Sequence, residues 1–318
     1  MIRSQFRQVT NFAQKYAILW ATALLFALLT FSTPAFATVT NLSNIIDQQS
    51  LVVIVAVFAT IALIAGGFDV SLSATFILAP LVAIRMAELV PSAFIIISVG
   101  CVVGLLVGGA NGVLVTKARI SPFITTLGVA LVAFGIAYLF SGGSILRIPD
   151  PEWRSLVTTK FLGLTTSSWV ALAAIAISGL LLQRTRFGSY IYAIGGNKQA
   201  ARLAGIPVDR VLITAFVLSG VAAGFAGALN SLRTLSAQAS DDFSLVFTVI
   251  AAIVIGGTSI SGGFGAIWRT IAGVFFIAIL GNGFNLNGVD PIYQRIIEGV
   301  VILAAVSLDG WSRSRHST

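Results

Sequence analysis

Apolar residues fall along the chain in long blocks separated by short polar breaks, and the blocks have membrane dimensions. A helix needs about 20 mostly apolar residues to cross the hydrocarbon core, with a working range of ~17–25. Ten stretches qualify: 16–38, 50–66, 70–86, 91–115, 122–141, 167–183, 211–232, 245–258, 267–284 and 292–308. The third and eighth are short or interrupted by glycine. The pattern predicts an all-α integral membrane protein, a polytopic bundle of about 10 transmembrane helices forming one domain over 1–318. Two breaks are long enough to be loops with structure of their own. Residues 142–166 are too polar and proline-broken to span, and residues 184–210 carry five basic residues.

Composition agrees. Of 318 residues 57% are apolar and 9% charged, where a soluble domain carries roughly 25% charged residues. A mean hydropathy of +0.98 leaves too little charge to cover a water-facing surface, which excludes an ordinary soluble enzyme. The net charge of +8 does not make a nucleic-acid binder, because no Lys/Arg stripe gathers on one face. It reads instead as topology. With the N-terminus inside, 13 of the 19 basic residues fall on the inner side, among them Lys117, Arg119, Arg184, Arg186, Lys198, Arg202 and Arg210. Lys and Arg favour the cytoplasmic side, and ten spans put both termini there. Cys101 and His316 are single, so neither a disulfide framework, a metal site nor a histidine relay is expected. Arg3, Arg7 and Lys15 before an apolar run, with Ala35-Phe36-Ala37 after it, have the grammar of a signal peptide. The run is long and is read as a retained first span.

Within the spans, small and polar residues are the informative ones. Gly104, Gly108, Gly109 and Gly112 on one span and Gly220, Gly224 and Gly227 on another have spacings that let helix backbones approach. Asn111, Thr125, Thr126, Asn230, Asn282 and Asn285 are candidates for lining a path, since amides and hydroxyls donate and accept without net charge. Packing between helices would also account for each. Arg233 is a further polar residue within a span. Asp69 is expected at the N-cap of the following helix, and Arg295 is expected to pair with Glu298 one helical turn on. Gly66-Gly67-Phe68-Asp69-Val70-Ser71 and Gly256-Gly257-Thr258-Ser259-Ile260-Ser261 suggest a parallel internal repeat. No G-x-x-x-x-G-K-[ST] loop is present, so any ATP is hydrolysed by another chain.

The loop 184–210 has internal order. Ser189 to Ala204 can form a short helix bent at Gly195-Gly196, with Asn197 capping its second half. Gly205 and Pro207 then stop it. A capped amphipathic helix suits a groove on a partner. The run Thr185 to Ile206 resembles the cytoplasmic coupling loop of ribose/xylose/arabinose-type ABC importer permeases, whose pattern is close to T-x-x-G-R-x-x-Y-A-x-G-G-N-x-x-A-A-x-x-x-G-I. Ser189 stands where that family usually has Arg. The resemblance extends to Gly66–Ser71, to Asn111-Gly112 with Val115-Thr116-Lys117, to Pro122–Gly128, and to Ile255–Ser259 with Gly262, Gly263 and Gly265. Ser73 and Asn287-Gly288 depart from it locally.

The resemblance implies a permease subunit in a bacterial inner membrane that translocates a sugar or related polyol. Its implied partners are an ATP-binding subunit, which uses ATP and Mg, a periplasmic or extracellular sugar-binding protein, a second permease copy and membrane lipid. It also implies that Tyr190, Tyr192, Gly195, Gly196, Asn197, Ala200, Ala201, Arg202 and Gly205 couple to the ATP-binding subunit. The competing reading is a stand-alone carrier or channel for a small polar solute, with Asp69 or Glu298 supplying an ion site.

Overall fold

The computed structural model describes residues 16–297 together with 299, 300 and 303. It is a helical bundle: α1 (Ala17–Ser32), α2 (Val39–Ile64), α3 (Leu72–Leu89), α4 (Ala93–Lys117), α5 (Pro122–Ser141), α6 (Ser155–Thr158), α7 (Thr166–Arg184), α8 (Arg186–Gly196), α9 (Lys198–Leu203), α10 (Val208–Thr234), α11 (Ser244–Ile255) and α12 (Ile267–Leu286). Residues 291–297 are again helical. Seven of these helices are long and apolar enough to cross a membrane: α2, α3, α4, α5, α7, α10 and α12. The chain is thus a multi-pass membrane protein. α1 and α11 are shorter apolar helices. Much of the second half of the expected span 292–308, and Glu298 of the expected Arg295–Glu298 pair, lie outside the described residues.

The small strands mark one end of the bundle. β1 (Leu146–Arg147) pairs antiparallel with β4 (Ser236–Ala237), and β2 (Lys160–Phe161) with β3 (Leu164–Thr165). Beneath these hairpins Asp47 gathers three elements. Its carboxylate accepts Thr165 Oγ1 and pairs with Arg233 Nη2 at 3.1 Å, while Arg233 Nη1 donates to the Asp47 carbonyl. At the opposite end lie 184–210, Lys117 and Arg119, joined where Asp209 meets Lys117 and Arg202.

α10 runs through the middle, two-thirds buried, against α2, α3 and α4. Its contact with α4 is a glycine seam. A Cβ on Gly104 would collide with the Gly220 carbonyl, one on Gly108 with the Phe216 carbonyl, and one on Gly112 would sit 2.7 Å from Ile213 Cα. Gly100 belongs to the seam too, since a Cβ there would sit 2.9 Å from the Gly224 carbonyl oxygen. Gly109 does not, because its nearest neighbour is Val217 Cγ2 at 4.0 Å. Gly227 faces the Phe76 backbone of α3 instead.

Three expectations shift. α2 begins eleven residues before the apolar stretch at 50, because Thr38 Oγ1 accepts the Asn41 N–H and caps it. α11 has 12 residues, about 18 Å at 1.5 Å per residue, short of the ~30 Å hydrocarbon core. Asp69 does not cap α3. The N-cap is Ser71, and Asp69 Oδ1 accepts both the N–H and the hydroxyl of Ser71. As for the repeat, the turns after α2 and α11 share one local geometry. Gly66 N–H bonds Leu63 O and Gly67 N–H bonds Ala62 O, and Gly257 and Thr258 do the same with Val254 and Ile253. Gly257, and not Gly256, therefore stands in the place of Gly66. This is the common glycine-terminated helix end.

Candidate partner-docking loop and translocation path

The loop 184–210 folds as two capped helices. Thr185 Oγ1 accepts the Gly188 N–H at the start of α8, three residues earlier than expected. The chain breaks at Asn197, whose Oδ1 accepts the N–H groups of Gln199 and Ala200 and so starts α9. Gly205, at φ +80°, closes α9 with its N–H on Arg202 O and the Ile206 N–H on Ala201 O. The proposed contact residues divide by exposure. Gly196, Asn197, Ala200, Arg202 and Gly205 are exposed, Tyr190, Tyr192 and Gly195 half-buried, and Ala201 buried. Ile191 and Ile194 plug the helix into the bundle.

The plug meets the ends of two other helices. The Gly263 N–H donates to Ile64 O at 2.8 Å and Tyr192 Oη to Gly265 O at 2.8 Å. A Cβ on Gly195 would overlap Ile64 O and Gly263 N. The last residue of α2, the turn after α11 and the end of α8 are therefore in backbone contact. Displacing α8 must move the other two or break these bonds.

The polar candidates do not form one line. Asn111 and Thr126 converge on the segment between α2 and α3. Asn111 Nδ2 donates to Ser71 Oγ at 2.7 Å, and Thr126 Oγ1 accepts the Val70 N–H at 3.0 Å. Both are fully buried, as is the neighbouring Ser219. Thr125 is buried beside them, with no hydrogen-bond partner for its hydroxyl. Asp69 Oδ2, Asn111 Oδ1 and Ser219 Oγ also have no partner within hydrogen-bond reach. Asn282 lies at the hairpin end, where it exchanges two 2.9 Å amide bonds with Asn41. Asn285 accepts from Gln294 nearby. Asn230 is half-buried on α10.

One feature escaped the span count. After β4 the chain re-enters without helical structure, and the Phe243 ring packs edge-on against Phe134 at 5.0 Å, beyond the midpoint of α5. α11 starts there, with Asp242 accepting the N–H and hydroxyl of Ser244, and with Ser73 Oγ accepting the Val246 N–H at 2.9 Å. The first turns of α3 and α11 thus meet inside the bundle, and Asp241, Asp242, Ser244 and Phe247 remain exposed. A discontinuous helix starting at membrane depth is tolerated where protein or a cavity surrounds it. The signal was available: the eleven residues between Ser244 and Gly256 are too few to cross as a helix on their own.

Residues 41–306 match the family described as branched-chain amino acid transport system, permease component. The chain belongs to that permease family. This permease is 35% identical to the ribose import permease protein of Escherichia coli (strain K12) over 293 residues, 91% of each chain. It is 34% identical to the L-arabinose transport system permease protein of the same organism, over 96% of this permease and 93% of that one. With the galactose/methyl galactoside import permease protein of Salmonella typhimurium (strain LT2) it shares 33% identity, over 92% and 93%. No solved structure matches this permease.

Proposed function

We propose that this chain is the permease subunit of a binding-protein-dependent ABC importer for a sugar or related polyol. The observation that carries the reading is the loop 184–210: a doubly capped helix pair, exposed along α9, with its buried side in backbone contact with the ends of α2 and α11. The relatives named for ribose, arabinose and galactose support the substrate class. An ATP-binding subunit, which hydrolyses ATP with Mg, docks on Gly196, Asn197, Ala200, Arg202 and Gly205. Tyr190, Tyr192, Gly195 and Ala201 hold the loop to the bundle and pass its displacement on. A sugar-binding protein delivers substrate at the hairpin end. Two permease copies enclose the path in a bacterial inner membrane, each with ten crossings, both termini cytoplasmic and a parallel repeat. Sugars are neutral donors and acceptors, so a path of amides and hydroxyls suits them.

The chain itself performs no hydrolysis. Its residues hold the bundle together, present the docking helix and open the path on one side at a time. The test is purification in mild detergent together with uptake in proteoliposomes. The expected result is a stable complex with an ATP-binding subunit and uptake that stops when ATP is removed. Uptake by this chain alone, dependent on a proton or sodium gradient and lost in Asp69→Asn, would establish the carrier reading instead.

A further inference from the structure

Where α4 ends and α10 begins, the chain builds a basic cavity. It has a volume of about 480 Å³, and its charged lining is Lys117, Arg119, Arg202, Asp209 and Arg210. A second hollow of about 350 Å³ shares Arg119 and Arg202 with it and adds Lys198 and Ile120. Five cations therefore face a single carboxylate. That carboxylate is already engaged: Asp209 Oδ1 lies 2.8 Å from Arg202 Nη2, and Oδ2 lies 3.4 Å from Lys117 Nζ. Arg119, Lys198 and Arg210 have no carboxylate within ion-pair distance among the described residues. The repulsion is visible on Lys198, whose ammonium is pushed below its ordinary range by burial and then by the charge of Arg202, against a smaller pull from Asp209.

Arg119, just past the end of α4, sits at φ +57°, a left-handed position that glycine adopts freely. Ile120 lines the second hollow, and the adjoining turns of α4 and α5 carry exposed apolar side chains: Val113, Leu114, Phe123 and Ile124. Cations below and bare apolar side chains above match the two halves of an anionic lipid, since basic pockets at the ends of spans hold phosphate headgroups.

We propose that this cavity binds the phosphate headgroup of an anionic phospholipid, with the acyl chains lying on Val113, Leu114, Phe123 and Ile124. The site sits beside α9, so lipid bound there braces the root of the docking loop against α4 and α10.

The test uses the complete transporter, stripped of lipid in detergent. Phosphatidylglycerol, phosphatidylcholine or inorganic phosphate is then added, and retention is followed by native mass spectrometry and stability by thermal melting. The expected result is retention of phosphatidylglycerol at least tenfold above phosphatidylcholine, with a melting shift that inorganic phosphate does not reproduce. Arg119→Gly with Arg210→Gln should abolish that preference, and Arg154→Gln at the hairpin end should not. Arg119→Gly places glycine at a left-handed position, so a folding defect is not expected, and an unaltered melting temperature without lipid checks this. Equal protection by phosphate alone would overturn the proposal. So would a double variant that keeps the lipid preference but loses the ATP-binding subunit, which would mark the cations as a protein contact.

Discussion

The glycine seam between α4 and α10 can be tested at one atom. In Gly104→Ala the added Cβ would overlap the Gly220 carbonyl oxygen and lie 2.7 Å from its carbon and 2.9 Å from Val221 Cα. All three are backbone atoms, which cannot rotate away. Carbon atoms pack at ~3.5–4.0 Å, so the helices must part by roughly 1 Å, and a gap of that size forfeits about half of the dispersion attraction between facing atoms. The loss spreads over the seam from Gly100 to Gly112. Overpacking of this kind costs about 1–3 kcal/mol, and the upper part of that range applies because the obstacle is main chain. The matched control is Gly109→Ala on the same helix, whose Cβ meets only Val217 Cγ2 at 4.0 Å. Alanine there gains about 0.8–1 kcal/mol of helix preference over glycine. Melting of the purified protein in detergent should therefore rank Gly109→Ala at or above wild type and Gly104→Ala several degrees below. At ~2 °C per kcal/mol for a chain of this size, the two variants should differ by about 6 °C. Equal melting temperatures, or Gly109→Ala as the weaker protein, would refute the backbone-contact account of the seam.

Other substitutions probe the remaining joints. Gly195→Ala should abolish ATP-driven uptake while the bundle still assembles, because its Cβ collides with Ile64 O and Gly263 N; normal uptake by the assembled variant would count against transmission through this contact. Asn197→Ala removes the acceptor for two N–H groups of α9 and should cost that short helix about 1 kcal/mol. Faster proteolysis at 198–204 is the readout, with Asn197→Asp expected to behave as wild type. Asp47→Ala leaves Arg233 half-buried without its carboxylate and frees Thr165. A loss of about 1–2 kcal/mol is expected for a partly exposed pair, measured by melting against an Arg233→Ala, Asp47→Ala cycle.

Much of this was legible because membrane burial writes itself into long apolar runs. The four helices α4, α5, α7 and α12 fall close to the stretches read for them, since each is bounded by a polar or breaking residue: Ser92, Pro122, Thr165, Asn287. The loop 184–210 was legible for a different reason. Asn197, Gly205 and Pro207 each supply a specific backbone requirement, so cap and stop could be placed without a tertiary contact. The glycine seam was legible as a stripe but not in its membership. Spacing alone admits Gly109 and overlooks Gly100, and only the crossing of α4 on α10 decides which glycine faces a carbonyl. Asn282 illustrates the same gap. Its amide is satisfied by Asn41, which the apolar count had placed before the start of the second span.

The beginnings of α2 and α11 show why apolar length is an incomplete measure of a crossing. α2 carries Asn41, Asn44, Asp47 and Gln48 in its first turns, yet it is helical from Val39 because Thr38 caps it and because Asn41 and Asp47 find partners on α12, β3 and α10. α11 is the converse case: a largely apolar helix that starts in mid-bundle, because Phe243 has a ring to pack on and Ser73 meets the Val246 N–H. In both, the helix begins where its first N–H groups are satisfied rather than where hydrophobicity begins. Free N–H groups are what lipid cannot tolerate. A start at membrane depth therefore needs protein around it, and the exposed Asp241, Asp242 and Ser244 beside that start need water or a second chain. The expectation that follows is a path on the α11 face, opposite a second permease copy. Cysteines introduced singly at Ser244 and Phe247, in a chain whose Cys101 is replaced, should cross-link between two copies in the membrane or react with a water-soluble thiol reagent, whereas one at Leu180 on α7 should do neither. Inert cysteines at 244 and 247, in a transporter that still takes up substrate, would move the path elsewhere.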